Sequence, residues 1–362
     1  MDGECHQQGL VDLILTDAYR CFQERLLSPR LLYFSPDEMS FECHSIVACE
    51  CHYCSWLEGP YCGIGHRPKN FYSGLKNGRV YPQDSFDRLD WKKHPETLWF
   101  RIIQDYSRTR FSYESDRLAA LAGVASRLSE HLGSYYAGLW GNNLLASLMW
   151  CRDTSATVIG TMAKGSETRQ LIPSFSWLSC QHPVEYCLHY ENSRSTDLEA
   201  CVKIMRITCE TLGPNPFGAI LNGSLVLEGR LIEVWPKRVS QNWVNLVRDK
   251  ADVRDVDPFR DPESIREDLT QEFRSRIRLD GNSIDDPDDL MRLDGSPLFC
   301  LLLATERNPT YKEAVPWART LLLEPSQSTE GAYRRVGISY HTPGSWFRDG
   351  GNKNTRTEIT IV

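Results

Sequence analysis

Five apolar segments in the second half of the chain constrain the fold more than any other feature. They are "SLVLEGRLIEVW" (224–235), "LFCLLLAT" (298–305), "ARTLLLEP" (318–325), "AYRRVGISY" (332–340) and "TEITIV" (357–362), divided by Gly, Pro and Asn. Short β-rich runs bounded by such breakers read as strands. A parallel pair needs a crossover of a dozen or more residues, usually a helix. Most of these segments have no helical stretch between them, so residues 171–362 are predicted to form a mostly antiparallel, β-rich region. One stretch interrupts it. Residues 247–295 are dense in charge, and "DPESIREDLTQEFRSRIR" (261–278) reads as a helix with Asp261 as N-cap and Pro262 as its first residue. Its acids come early and its arginines late, as the helix dipole favours. The stretch 247–295 therefore reads as an exposed, charged helical insertion.

The first half carries helical spacing instead. Leu10, Val11, Ile14, Ala18, Cys21, Phe22 and Leu26 fall three or four apart, one face of a helix. Ser28-Pro29 stops it, because a residue before proline is pushed out of helical geometry. "LLYF" and "MSFEC" then flank "SPDE", which predicts a hairpin. In "HPETLWFRIIQDYSR", Pro95 suits a first turn, with Trp99, Ile102, Ile103 and Tyr106 inside. "SDRLAALAGVASRLSEHLG" has Ser115 as N-cap, Gly133 as stop, and a stripe of Leu118, Leu121, Ala125 and Leu128. Asn142 or Asn143 caps a third helix with Leu145, Leu148 and Met149 inside. The expected fold is α+β: a helical N-terminal half with a β-hairpin, then a mostly antiparallel β-rich half. Its segments are 1–54 (helix plus hairpin), 55–95 (a long irregular loop), 96–170 (helical) and 171–362.

Bulk properties narrow the function. The formal net charge is −7 and the basic residues form no block, which argues against a dedicated nucleic-acid binder. No apolar run approaches the ~20 residues that span a bilayer. The start, "MDGECHQQGL", lacks a basic n-region and a long apolar stretch, so no secretory signal is read. The expected compartment is the cytoplasm, with the nucleus left open. There the thirteen cysteines are expected mostly as reduced thiols.

Three constellations have chemical potential. "CHSIVACECHYC" and the following "YCGIGH" offer Cys49, Cys51, Cys54, Cys62 and His66 as zinc ligands, beside Cys43, His44 and His52. Cys51 and Cys54 have knuckle spacing, yet there is no clean double CxxC. A cysteine-rich strand and loop without metal is the weightier reading, and no other cofactor is expected. "QDYSRTRFSYESDRL" gathers Asp105, Arg108, Arg110, Glu114, Asp116 and Arg117. This run either binds an anion and does acid–base work or is a solvated, ion-paired corner, and the corner carries more weight. "IPSFSWLS" places Trp177 either in a pocket wall or, with more weight, in the core. There is no Walker loop, no G-x-G-x-x-G before a helix and no G-x-S-x-G, and "DGNSIDDPDDL" misses the calcium-loop pattern.

Several blocks, in order, resemble fungal heterokaryon incompatibility (HET) domain proteins. "CFQERLLSPRLLYF" is similar to the closing block of the HET domain, with Gln23, Glu24, Arg25 and Arg30 matching the pattern. "FECHS…CEC", "DYSRTRFSYESDRLAALAGVA", "YYAGLWGNNLLASLMW", "PSFSWLS" and "GAYRRVGISY…TEITIV" resemble segments that follow the domain in many members. Arg20 and Ala18 depart from the motif, and the domain's N-terminal half has no counterpart, so the chain reads as truncated or diverged. The resemblance implies nonself recognition and programmed cell death, through a protein partner or self-association, unless the truncation has inactivated the chain. NAD cleavage, known in TIR domains to which HET domains are likened, is not carried over. HET-like genes also occur in secondary-metabolite clusters, which implies a second class: a cofactor-independent cyclase or isomerase of a small hydrophobic intermediate. For that enzyme Trp140, Trp150 and Trp177 are candidate pocket walls, and Glu24, Asp105, Asp116 and Arg117 are candidate acid–base residues.

Overall fold

The computed structural model describes residues 22–34, 39–43, 47–50, 95–109, 116–153, 172–186, 198–240, 243–248, 250, 277–280, 296–306, 317–347 and 356–362. A short helix, α1, covers 22–27 and buries Phe22 and Leu26, one turn apart. It ends before Pro29, as the sequence requires. The predicted hairpin follows: β1 (Arg30–Phe34) pairs antiparallel with β2 (Met39–Cys43), and β3 (Val47–Cys49) extends the sheet on the β2 side.

α2 (Pro95–Tyr106) and α3 (Asp116–Leu132) carry the expected stripes. Trp99, Ile102, Ile103 and Tyr106 are fully buried, and Leu118, Leu121, Ala125 and Leu128 are buried on α3. Gly133 ends α3 in the left-handed conformation (φ +78°), its N–H donating to the Ser129 carbonyl at 3.0 Å. β4 (Tyr135–Tyr136) and β5 (Leu139–Trp140) form a small hairpin. Its two turn residues, Ala137 and Gly138, both have positive φ, the geometry that matches strand twist. Asn143 caps the four-residue α4 (Leu144–Ser147) by accepting from the Ala146 N–H at 3.4 Å. Leu148 and Met149 are buried there as expected, whereas Leu145 is only half-buried. β6 (Trp150–Arg152) then pairs with β7 (Val184–Tyr186).

The rest builds a nine-stranded sheet from β8 (Leu198–Ala200), β9 (Lys203–Thr211), β10 (Ile220–Ser240), β11 (Trp243–Val247), β12 (Ile277–Leu279), β13 (Leu298–Glu306), β14 (Trp317–Pro325), β15 (Tyr333–Pro343) and β16 (Arg356–Ile361). The 21-residue β10 organises it. It pairs with β9 over 220–228, with β16 over 225–230, with β13 over 231–234 and with β11 over 235–240. Since β13–β14–β15–β16 are also linked in sequence order, the pairings close a ring through β10. All pairings are antiparallel except one contact, Tyr333 with Ile361 in β15 and β16. Pro236 fits because β10 has by then left β13 and needs bonds on the β11 side alone.

Both faces of β13 and β14 are covered, which explains their unbroken apolar runs. On β13, Leu298, Cys300 and Leu302 enter one buried cluster, while Leu301 and Leu303 enter a second that includes α2, α3 and the small hairpins. The tryptophan-rich first half thus packs against one face of the sheet.

Two expectations need correction. The N-terminal half is not helical: the described residues are 47% strand and 28% helix, and strands β1–β6 lie within the first 152 residues. α2 and α3 are correctly placed, but aromatic pairs such as Tyr135–Trp140 favour hairpins over further helix. The charged stretch 247–295 is not wholly an insertion either. Ile277 and Arg278, placed at the end of the expected helix, belong to β12, which pairs with β15. The rest of that helix, residues 10–21 of the first one, and the expected loop 55–95 apart from Pro95 lie outside the described residues. Among the described residues, no helix is long and apolar enough to cross a membrane.

Candidate functional site

The segment of α1, β1 and β2 is tied to α3 by one polar contact and closed on itself around Glu42. The Gln23 side-chain amide oxygen, Oε1, accepts the Gly123 N–H at 2.7 Å. A Cβ at Gly123 would sit 2.8 Å from the end of the Gln23 side chain, so a larger residue there would have to displace the amide from this bond. Arg25 grips Glu42 with both arms of its fork: Nε donates to Oε2 at 2.9 Å and Nη2 to Oε1 at 2.8 Å. The Tyr33 hydroxyl donates to Glu42 Oε2 at 2.9 Å. Arg25 and Glu42 are both buried, so α1, β1 and β2 share one closed ion pair. Burial, seconded by the Glu42 charge, pushes the Tyr33 phenol well above its ordinary range. It is a permanent donor at neutral pH. Glu24 and Arg30, the other two motif residues, are exposed.

With the inner face held this way, β1 presents a different outer face. Leu32 is 49% exposed and Phe34 72%, the largest exposure of any described apolar side chain. Leu31 and Tyr33 point the other way, as the strand period demands.

The acid–arginine run resolves into two separate sites. Arg108 pairs with Asp153 at 2.7 Å and lies 3.6 Å from Asp105, and both carboxylates are almost fully buried. It is an ion-paired corner as expected, with the arginine at the surface and its two carboxylates buried. Arg117, buried at the start of α3, lies 5.3 Å over the Trp177 ring. Its Nη1 donates to the Leu178 and Cys180 carbonyls at 3.1 and 2.9 Å. Asp116 is the first residue of α3. Arg110, Glu114 and Ser115 lie outside the described residues.

Trp140, Trp150 and Trp177 are each 0% exposed. Trp140 packs edge-on against Trp99 (5.4 Å between centroids) and Tyr135 (4.9 Å). Trp177 and Trp99 both donate their indole N–H to the Gly138 carbonyl at 3.1 Å. Gly138 has φ +89°, and a Cβ there would come within 2.4 Å of Trp177 Nε1. Trp150 donates to the Phe175 carbonyl at 3.0 Å and carries Arg335 3.5 Å above its ring.

Arg335 is the hub that the sequence did not point to. Its Nε donates to Asp280 at 2.7 Å, Nη1 to the Leu148 carbonyl at 2.7 Å and Nη2 to the Trp150 carbonyl at 2.6 Å. It joins β15, the residue after β12, α4 and β6. Burial raises the Asp280 carboxyl, with Arg335 pulling it down. The nearby Cys180 thiol donates to the Asp280 carbonyl at 3.3 Å, and burial, with the Asp280 charge second, pushes it up to about 12. A cysteine so far from its thiolate is a weak nucleophile. Arg319, also buried, lies 5.4 Å over Tyr340. The only sequence signal for these arginines is a charge inside an apolar strand, as in "AYRRVGISY".

Of the zinc candidates, Cys49 ends β3, while Cys51, Cys54, Cys62 and His66 lie outside the described residues. Among the described residues no three His, Cys, Asp or Glu side chains gather as a metal site. The structure therefore brings Arg117 to Trp177 and Gln23 and Arg25 to the core. It leaves Glu24 at the surface and Asp105 in a separate pair with Arg108. Buried ion pairs cost desolvation unless the groups are well bonded. The Arg25–Glu42–Tyr33 and Arg335–Asp280 groups meet that condition: the first fixes the inner side of the hairpin, and the second joins β15 to the residue after β12 and to the chain around β6. No family model matches the chain, and neither a curated protein nor a solved structure matches it.

Proposed function

We propose that the chain acts as a HET-like interaction protein in fungal nonself recognition and cell death, presenting the β1–β2 hairpin to a protein partner. The observation that supports this reading is the contrast between the hairpin's two faces. Glu42, Arg25 and Tyr33 fix the inner face, while Leu32 and Phe34 are held open to solvent on the outer one. Exposed apolar groups on a rigid element favour binding, because little ordering entropy is lost on contact. The motif residues Gln23 and Arg25 act through this scaffold rather than on a substrate. The cyclase or isomerase reading is the weaker one. It needs Trp140, Trp150 and Trp177 around a substrate, and each packs instead against protein groups. The working compartment on this reading is the cytoplasm.

Inducible expression of the full chain in a fungal host tests the proposal. Growth arrest on induction is expected, at protein levels verified by immunoblot. Undisturbed growth with the protein accumulated would overturn it, and a new cyclised metabolite in the same strain would favour the enzyme.

A further inference from the structure

β9 is a nine-residue strand at the rim of the large sheet. It pairs with β10 on one side, and among the described residues no strand bonds its other edge. An edge of this length presents a row of backbone N–H and C=O groups ready to pair with another strand. Arg206, Thr208 and Glu210 all lie exposed on one face. Thr208 bonds Ser224 at 2.9 Å and Asn222 donates to Glu210 at 2.6 Å, so that face is ordered. Arg206 has no carboxylate partner among the described residues. Ile204 (39% exposed), Met205 (44%) and Leu212 (67%) flank the charged centre.

We propose that a second copy of this chain adds its own β9 antiparallel to this edge, across a two-fold axis at Thr208. The register follows from charge. A two-fold axis perpendicular to the sheet keeps like faces together, so it passes through a residue. At Arg206 it would set two guanidiniums opposite each other. At Ile207 it would set Arg206 against Thr208, and at Cys209 it would set Glu210 against Thr208, so that neither charge meets its opposite. At Thr208 it sets Arg206 of each copy opposite Glu210 of the other, forming two ion pairs from groups of opposite sign. The pairing register with β10 shifts between Val226 and Leu227, opposite Arg206 and Ile204. This shift and a second one between Ile220 and Asn222, opposite Thr211 and Glu210, limit regular pairing to the Arg206–Glu210 stretch and so favour one register over sliding alternatives. The result is one sheet continuous through two chains.

The inference concerns a second surface, distinct from the β1–β2 hairpin, and rests on the β9 edge alone. A dimer that leaves growth undisturbed upholds this inference and overturns the other, and arrest by a strict monomer does the reverse. Sedimentation velocity on the full chain, up to about 100 µM, covers the weak end of specific association. The expected species has twice the 41.5 kDa chain mass. Arg206→Glu and Glu210→Arg should each weaken it about tenfold or more, and the double exchange should restore it. Thr208→Cys should give a disulfide-linked dimer under mild oxidation that the wild type and Lys203→Cys do not give. These positions are exposed, and unchanged circular dichroism melts confirm folding. A monomer at the top concentration would overturn the proposal, as would a dimer indifferent to both charge reversals.

Discussion

Replacing Glu42 by Ala tests how α1, β1 and β2 are held together. Arg25 and Glu42 are 8% and 3% exposed, and the pair is joined by two charge-assisted bonds of 2.9 and 2.8 Å. Removing one member of such a buried pair costs about 3–5 kcal/mol, mostly because the remaining charge keeps its desolvation penalty. The Tyr33 hydroxyl loses its acceptor as well, which adds about 1 kcal/mol. The sum is a large part of an ordinary domain stability of about 5–15 kcal/mol. Replacing Arg25 by Met, Glu42 by Leu and Tyr33 by Phe together removes the polar groups of all three side chains. That triple variant should return to within about 2 kcal/mol of the parent. Urea unfolding followed by tryptophan fluorescence reads both values, since Trp99, Trp140, Trp150 and Trp177 lie in the cluster that also holds Phe22 and Leu26 of α1. The reasoning is refuted if Glu42→Ala costs less than about 1 kcal/mol, the value of an exposed pair. It is also refuted if the triple variant is no more stable than the single one.

Other consequences follow from the buried groups. Gly138→Ala should cost about 3 kcal/mol in the same assay, from left-handed strain and the displaced Trp177 indole. Gly213→Ala, at φ +98° with no atom within 4 Å of a new Cβ, should cost only the strain, about 1–2 kcal/mol. Cys180 and Cys300 both have thiols pushed up to about 12 by burial, from an ordinary value of 9.0. The unfolded chain therefore loses these protons first, and stability falls as pH rises from about 9 towards 12, by about 1 kcal/mol per thiol per pH unit. Cys300→Ala should flatten that slope in urea titrations at pH 9–10.5, and Cys180 and Cys300 should resist iodoacetamide in the native state at pH 8.

The readable parts of the fold were those set by local pattern. The α2 and α3 stripes, the Ser28-Pro29 stop, Gly133 at the end of α3 and the five apolar strands all follow from spacing and breakers within a dozen residues. The closed ring was not readable, because it depends on β10 bending to meet β16 and then β13, a matter of tertiary pairing. β9 was missed because "KIMRITCET" has charges on its exposed face and only half-buried residues on the other. The site residues divide similarly. Gln23 and Arg25 stood out through a motif, but their partners Gly123 and Glu42 lie 100 and 17 residues away. Arg335 meets Asp280 across 55 residues and Trp150 across 185, separations at which a single sequence has no periodic signal. An arginine in an apolar strand shows that something must balance its charge, without naming the partner.

The outer face of the β1–β2 hairpin gives the most direct test of the central claim. Leu32→Asp with Phe34→Asp changes the exposed residues and leaves the Arg25–Glu42–Tyr33 group intact. Growth of the fungal host is then followed on induction of the wild-type and variant chains, matched for protein level and for melting temperature. The account predicts arrest by the wild type and recovery with the variant. Arrest that persists undiminished in the variant would contradict it.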